Sequence, residues 1–428
     1  MSSQVLDYTA QDSSQINSWE KMLLEASKKI SLTPAQYALI ESRYSQLQKI
    51  LDKAQEFCLS GAHIFIQGSI GLKTTVKPAP EAKGDMATID ADAIILLPNA
   101  VNSSSEDVLL AIEELFKAES TVKADPQQLR RGIRIVYSDE NPGFHIDITP
   151  AIKVSGNYED DGYGKLLVPD REDGWKASAP RSYSQWLENI STEKIVMISE
   201  STRTMDSMES IVGNADFAKS TMDPIPNYQE YSDSHPLGAT IKLLKRHRDR
   251  WAIRSSSELY RPISAIITTL ATQAYYKIAL KSASKPMRPI DVMFSIVSDM
   301  IQHVNDSDNE YKVLNPCDEG ENFAEKWNRV NGEGEKYRAA FYEWHADVIT
   351  DIALGLSDWG TQQRFEQEVS DKFGVPQSMI SEITKDFGTS WTLPGRKSGE
   401  TLNKAVLGAF GMLSGLGQAN AGTVERLG

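Results

Sequence analysis

Cysteine is scarce in this 428-residue chain. The two present, Cys58 and Cys317, lie far apart, which argues against a disulfide framework and fits a reducing compartment. Basic charge is also short. With 45 Lys and Arg against 59 Asp and Glu, the net charge is −14 and the sequence pI is near 5.1. A protein that coats duplex nucleic acid shows a basic footprint, so stable duplex binding is not expected. No apolar run approaches the ~18 residues of a membrane span. The stretch 405–417 is apolar but short and glycine-rich, and reads as a packed tail or a partner-binding segment. The opening MSSQVLDYTAQDSSQ has no apolar signal core, so a cytoplasmic protein is expected. The six histidines fall into no H-E-x-x-H or Cys/His metal pattern. G-x-x-x-x-G-K-[ST] is absent, and so is G-x-S-x-G, which disfavours a serine hydrolase.

Three aspartates carry the chemistry that is there. Asp90 and Asp92 are two residues apart in IDADAIILL, which reads as a strand over 89–97. Side chains alternate along a strand, so the two share a face. Asp147 lies in FHIDIT, where Phe144, Ile146 and Ile148 take one face and His145, Asp147 and Thr149 the other. Clustered carboxylates repel one another unless paired or bound to a cation. Upstream, Gln67-Gly68-Ser69 ends a strand over 62–67 and starts a turn toward Thr74 and Thr75. Glycine there permits a phosphate to approach the backbone, and Ser69 adds a hydroxyl. Each feature has a plainer reading: surface charges at a strand's start, and an ordinary strand-to-helix turn. The acidic triad gains weight from the turn some twenty residues before it.

Two further candidates lie in the second half. KLLKRHRDR, within a basic amphipathic helix expected over 237–254, puts Lys242, Lys245 and Arg246 on one face, suited to a triphosphate or simply to solvent. Ser264 sits in the first turn of an apolar helix that Pro262 opens, where free N–H groups favour an anion or the serine caps its own backbone.

The spacing predicts helix from about 17 to 58, with a start at Thr33-Pro34 and a buried stripe of Ile40, Tyr44, Leu47 and Leu51, as one long helix bracing a sheet. It also predicts a loop over 77–88, a helix over 106–119, strands over 133–137 and 144–149, and loop-rich chain over 155–182. Helices follow over 262–280, 291–304 and 324–354. The expected division is a mobile N-terminus (1–16), a catalytic domain (17–230), a helical domain (231–400) and a tail (401–428).

Taken together, these residues resemble the CD-NTase family, bacterial relatives of cGAS and oligoadenylate synthetase known from CBASS anti-phage operons. The likeness rests on QGSIGLKTTV, IDADAIILL, FHIDITPAI, VPDREDGWKASAPRSYSQWL, LGATIKLLKRHRDRW with RPISAIITTLA, and NPCDEGENFAEKW, over roughly residues 34–345. Lys73 departs from it, standing where many relatives have glycine. The resemblance implies an α+β fold: a polymerase-β-like nucleotidyltransferase core with a mixed sheet and a long bracing N-terminal helix, then a C-terminal α-helical domain similar to that of oligoadenylate synthetase. It implies two Mg²⁺ ions, with Mn²⁺ a possible substitute, held by Asp90, Asp92 and Asp147. Gly68 and Ser69 would contact a donor triphosphate, Lys245 and Ser264 its far phosphates, and Thr74 is a further nucleotide-binding candidate; Gln67 would touch a base or ribose.

The activity implied is synthesis of a cyclic di- or trinucleotide second messenger from ATP, with GTP as a second substrate, for a downstream nucleotide-activated effector. The alternatives are a linear oligonucleotide synthetase or RNA-tailing enzyme, and a catalytically silent nucleotide sensor. The chain ends in Gly428, whose carboxylate is sterically open. Some relatives have such a terminus conjugated by a ubiquitin-ligase-like operon partner, so Gly428 is a candidate conjugation site.

Overall fold

The computed structural model describes residues 13–118, 126–137, 143–154, 162–193, 195, 235–282, 286–307, 310–388 and 391–393. The expected helical run divides into α1 (Ser13–Ile30) and α2 (Pro34–Leu51). The break is chemical. The Thr33 hydroxyl accepts the Gln36 N–H at 3.2 Å, and the Gln36 side chain accepts the Thr33 N–H at 2.9 Å, a reciprocal cap that starts a new helix. Ile40, Tyr44, Leu47 and Leu51 are all buried, as their spacing requires.

Helix α2 is the one that braces the sheet. Gln48 accepts the Ile64 N–H at 2.8 Å and donates to the Ala62 carbonyl at 3.2 Å. Helix α1 packs elsewhere: Trp19 donates to the Ile352 carbonyl at 3.0 Å. Ile16 is already buried within α1, and the rest of the N-terminal segment before Ser13 lies outside the described residues.

The sheet contains β1 (His63–Gln67), β2 (Ile89–Leu96), β3 (Gln127–Leu129), β4 (Gly132–Tyr137), β5 (Phe144–Lys153), β6 (Leu166–Asp170) and β7 (Gly174–Ser178). Its order is β1-β2-β5-β4-β3, with β6 on β5 and β7 on β6. Strands β2 and β5 run parallel and the other pairs antiparallel. A single helical turn, α3 (Gly68–Gly71), follows β1, and α4 (Ser105–Ala118) covers the face opposite the acidic residues with Val108, Leu109, Ile112 and Phe116.

The segment expected to be loop-rich instead forms the β6–β7 hairpin and α5 (Pro180–Ser191). Its turn residues misled the reading. Asp170 and Gly174 close the hairpin, and the buried Asp170 carboxylate accepts the N–H groups of Glu172 and Asp173 at 3.0 and 3.2 Å. Arg130 and Arg131 donate to the same carboxylate at 2.9 and 3.0 Å.

The second half is helical: α6 (Pro236–Ser255), α7 (Ser264–Ser282), α8 (Pro289–Asp299), α9 (Glu333–Ile352), α10 (Gln362–Phe373) and α11 (Gln377–Asp386). Between α8 and α9 lie two small hairpins, β8 (Asn305–Ser307) with β9 (Glu310–Lys312), and β10 (Leu314–Asn315) with β11 (Asp318–Asn322). The helix expected over 324–354 starts only at Glu333, because Asn331 and Gly332 both have positive φ. The expected amphipathic character of α6 is overturned. Lys242, Lys245, Arg246, His247, Arg248 and Arg250 are all buried, since other elements surround this helix. No helix of the described residues is long and apolar enough to cross a membrane.

Candidate active site: a cleft with an acidic and a basic wall

Strand register builds the acidic wall. Gln67 pairs with Asp92, Asp92 with Asp147, and Asp147 with Arg134. One row across β1, β2, β5 and β4 thus presents an amide, two carboxylates and a guanidinium on one face. One step along, Asp90 pairs with His145.

Each carboxylate has its own surroundings. Arg134 grips Asp147 through two parallel bonds, Nε to Oδ1 at 2.7 Å and an Nη to Oδ2 at 2.8 Å. Its other arm reaches Asp85 at 2.6 Å. His145 Nε2 lies 2.9 Å from Asp90 Oδ1. Asp92 faces Gly68, where a Cβ would lie 1.9 Å from its Oδ2; Gly68 also has φ +64°. Both facts require glycine there. The Tyr44 hydroxyl of α2 donates to the Asp92 carbonyl, so the bracing helix touches the strand at the site. Ser69 accepts from the Thr75 hydroxyl at 3.0 Å.

The electrostatics differ along the wall. Burial, then the charges of Asp90 and Asp147, hold the Asp92 carboxyl well above its ordinary pKa. Asp90 opens to the water of the cleft but is ringed by protein, whose desolvation raises its pKa less decisively; the His145 hydrogen bond and charge, with Arg134 and Lys245, prevail and hold its pKa down. Ligand atoms of Asp90, His145 and Asp147 lie within 4.8 Å of one another. The two carboxylates of that group are oxygen donors that suit a hard divalent cation, with the His145 nitrogen beside them. A cation there would also relieve the repulsion that Asp92 feels, so the residues fit a metal.

Helix α6 and the start of α7 build the opposite wall. Lys245 donates to the carbonyl and the hydroxyl of Thr74, both at 3.1 Å. Burial, then Arg248, lowers its pKa to about 7. Arg248 donates to Ser264 Oγ at 3.0 Å and to the Pro262 carbonyl at 3.0 Å, and pairs with Asp249 at 2.8 Å. Between the walls lies a cleft of about 530 Å³.

Of the residues singled out from sequence, Gln67, Gly68, Ser69, Asp90, Asp92, Lys245 and Ser264 line this cleft. Asp147 stands behind Asp92 under Arg134, and Thr74 is buried beneath Lys245. Arg246 turns away, donating to the carbonyls of Gly374 and Lys77 at 2.6 and 2.8 Å. Gly428 lies outside the described residues. Sequence reading missed Arg248, Arg134 and His145. Arg248 was within reach, because it is three residues from Lys245 and so on the same helical face. His145 was within reach too, sharing the Asp147 face. Arg134 carried no local signal, since only the β4–β5 register brings it to Asp147.

Residues 18–190 match the family model of the Second Messenger Oligonucleotide or Dinucleotide Synthetase domain. Among solved structures, the chain is similar to the CD-NTase CdnG of Bradyrhizobium diazoefficiens in complex with GTP, at 16% identity and a TM-score of 0.58, over 87% of this chain and 99% of that one. It also matches DncV of Escherichia coli in a 3'-deoxy GTP bound form, at 13% identity and a TM-score of 0.45, over 86% and 90%. A third match is the DncV cyclic AMP-GMP synthase of Vibrio cholerae with the linear intermediate 5' pppA(3',5')pG, at 12% identity and a TM-score of 0.46, over 86% and 88%. No curated protein matches.

Proposed function

We propose that this chain, whose residues 18–190 match the Second Messenger Oligonucleotide or Dinucleotide Synthetase domain, is a CD-NTase nucleotidyltransferase that joins nucleoside triphosphates into a cyclic di- or trinucleotide second messenger. ATP is the proposed substrate, with GTP as a second one, and anti-phage defence the proposed setting. The observation that carries this reading is the single cleft with carboxylates on one wall and Lys245 and Arg248 on the other. A nucleoside triphosphate needs both: a metal-binding wall for the reacting phosphate and cations for the rest. The cleft volume falls within the usual range of ligand sites, about 300–1,000 Å³.

In this reading Asp90, Asp92 and Asp147 hold two divalent ions, Mg²⁺ with Mn²⁺ as substitute, which when bound acidify an acceptor hydroxyl and offset the charge on the departing pyrophosphate. The chain's own groups do the rest. Gly68 leaves room for phosphate beside Asp92, and Ser69 offers a hydroxyl to it. Lys245 and Arg248 hold the far phosphates, with Ser264 oriented by Arg248. Thr74 keeps the turn in place through its two bonds to Lys245. Gln67, in register with Asp92, would touch the sugar or base.

The test is mass spectrometry of products from mixed triphosphates with Mg²⁺ or Mn²⁺, before and after phosphatase. A phosphatase-resistant product supports ring closure. Phosphatase-sensitive oligomers would favour a linear synthetase or RNA-tailing enzyme. No pyrophosphate release with any substrate, GTP included, would favour a silent sensor. The reading extends to a nucleotide-activated effector and to conjugation of Gly428 by a ubiquitin-ligase-like partner. Deleting Gly428 should then abolish adducts formed on co-expression with that partner.

A further inference from the structure

The exposed end of the acidic wall has a support of its own. Asp90 shows 64% of its side chain to solvent, and an exposed carboxylate on a strand is free to turn unless something holds it. His145 is almost fully buried beneath it, with its side chain 4% exposed, and its Nε2 lies 2.9 Å from Asp90 Oδ1. The other ring nitrogen, Nδ1, lies 2.8 Å from the Thr88 hydroxyl. The Thr88 hydroxyl gives its proton to the Asp85 carbonyl at 2.9 Å, so its oxygen faces Nδ1 as an acceptor, anchors the ring to the turn and leaves Nε2 aimed at Asp90 Oδ1. Oδ2 is then left for a cation.

The same turn supports the second carboxylate. Thr88 follows the turn Gly84–Ala87, whose Asp85 pairs with Arg134, and Arg134 grips Asp147. Two arms therefore run from one turn, through His145 to Asp90 and through Arg134 to Asp147.

We propose that His145, oriented by Thr88, is the positioning residue for Asp90: it fixes one carboxylate oxygen so that the other meets the metal, and thereby sets metal affinity. This rests on the metal-dependent reading of the cleft. A hydrogen-bonded partner behind a metal ligand typically changes affinity by ten- to a hundredfold when removed.

The experiment measures Mn²⁺ binding to the nucleotide-free, full-length protein by electron paramagnetic resonance, with Mg²⁺ as competitor and the melting temperature as a folding control. His145→Ala should weaken Mn²⁺ and Mg²⁺ binding about ten- to a hundredfold. His145→Gln, whose amide can donate near the Nε2 position, should recover most of that loss. Thr88→Val, which leaves the ring in place, should give an intermediate loss and keeps the idea testable if His145→Ala does not fold.

Affinity within threefold of wild type in folded His145→Ala would overturn the proposal. So would Gln falling as far as Ala, or Thr88→Val binding like wild type. A loss confined to Mn²⁺, with Mg²⁺ binding kept, would make His145 a direct nitrogen ligand and also overturn the positioning role. If the wild-type protein binds no divalent ion at all, the metal reading of the cleft fails and takes this inference with it.

Discussion

The two walls of the cleft are made differently. The acidic wall stands on adjacent strands, where pairing register decides which side chains meet. Asp92 stands beside Asp147 because β2 and β5 pair in parallel, and Arg134 beside Asp147 because β4 pairs with β5. The basic wall stands largely on one helix, and its cations scatter. Lys245 and Arg248 face the cleft. Arg246 and Arg250 instead satisfy backbone carbonyls of distant segments, Gly374, Lys77, Asp371 and Pro80. Charge on a strand face therefore points to one place, while charge around a buried helix points to several. Clustered cations in an acidic chain are as much a packing device as a ligand site.

The sharpest way to break this comparison is on the acidic wall. Asp90→Asn or Asp92→Asn should reduce product formation at least about a thousandfold, several kcal/mol of barrier at ~1.4 kcal/mol per decade. Stability should hold in Asp92→Asn, where burial and the charges of Asp90 and Asp147 already disfavour the charged carboxyl, and fall modestly in Asp90→Asn, which loses a favourable charge beside His145. Product formation within threefold of wild type in both variants would remove the wall from the chemistry.

Next comes Gly68→Ala, which sharpens the acidic wall's dependence on close packing. The new methyl would overlap Asp92 Oδ2, at a backbone angle that disfavours side chains. Strain of this kind costs about 1–3 kcal/mol, and turnover should fall with it. Unchanged Mn²⁺ binding and rate would mean that the turn adjusts freely.

The basic wall is tested by a pair. Lys245→Met should weaken triphosphate binding by about 1.5–3 kcal/mol, the worth of a charge-assisted bond, and Arg246→Met should leave binding unchanged while lowering the melting temperature. Isothermal titration beside thermal melts checks both, and a swap of the two outcomes would reverse the assignment. Lys245 also predicts a pH effect. Its folded pKa, lowered to about 7, lies below the ordinary lysine value, so the unfolded chain binds the proton more tightly. Stability of the free protein should therefore rise as pH increases from about 7 toward 10, and Lys245→Met should flatten that rise.

The smallest effect is expected at Lys73, at the foot of the turn. Its φ is +57°, a conformation that costs a non-glycine residue about 1–2 kcal/mol. Its ion pair with the exposed Glu188 spans 3.9 Å and offsets little of that. Lys73→Gly should raise the melting temperature slightly, provided the gain exceeds glycine's own entropy cost of roughly 0.5–1 kcal/mol. A fall would show that the ion pair and glycine's entropy together outweigh the backbone strain.

Local pattern alone carried much of the fold. Two-residue alternation placed Asp90 with Asp92 and set Phe144, Ile146 and Ile148 against His145 and Asp147. Thr33-Pro34 and the stripe from Ile40 to Leu51 marked α2, because caps and helical period are properties of a few neighbouring residues. The β6–β7 hairpin was not legible, since Pro169, Asp170 and Gly174 read as breakers until Arg130 and Arg131 close on Asp170. Nor was the burial of α6, because a basic helix reads as solvated until other elements surround it. The partners of Arg134, Arg246 and Arg248 were decided by tertiary structure for the same reason. Periodicity states which way a side chain leaves its own element, whereas a hydrogen bond depends on which distant element arrives to meet it.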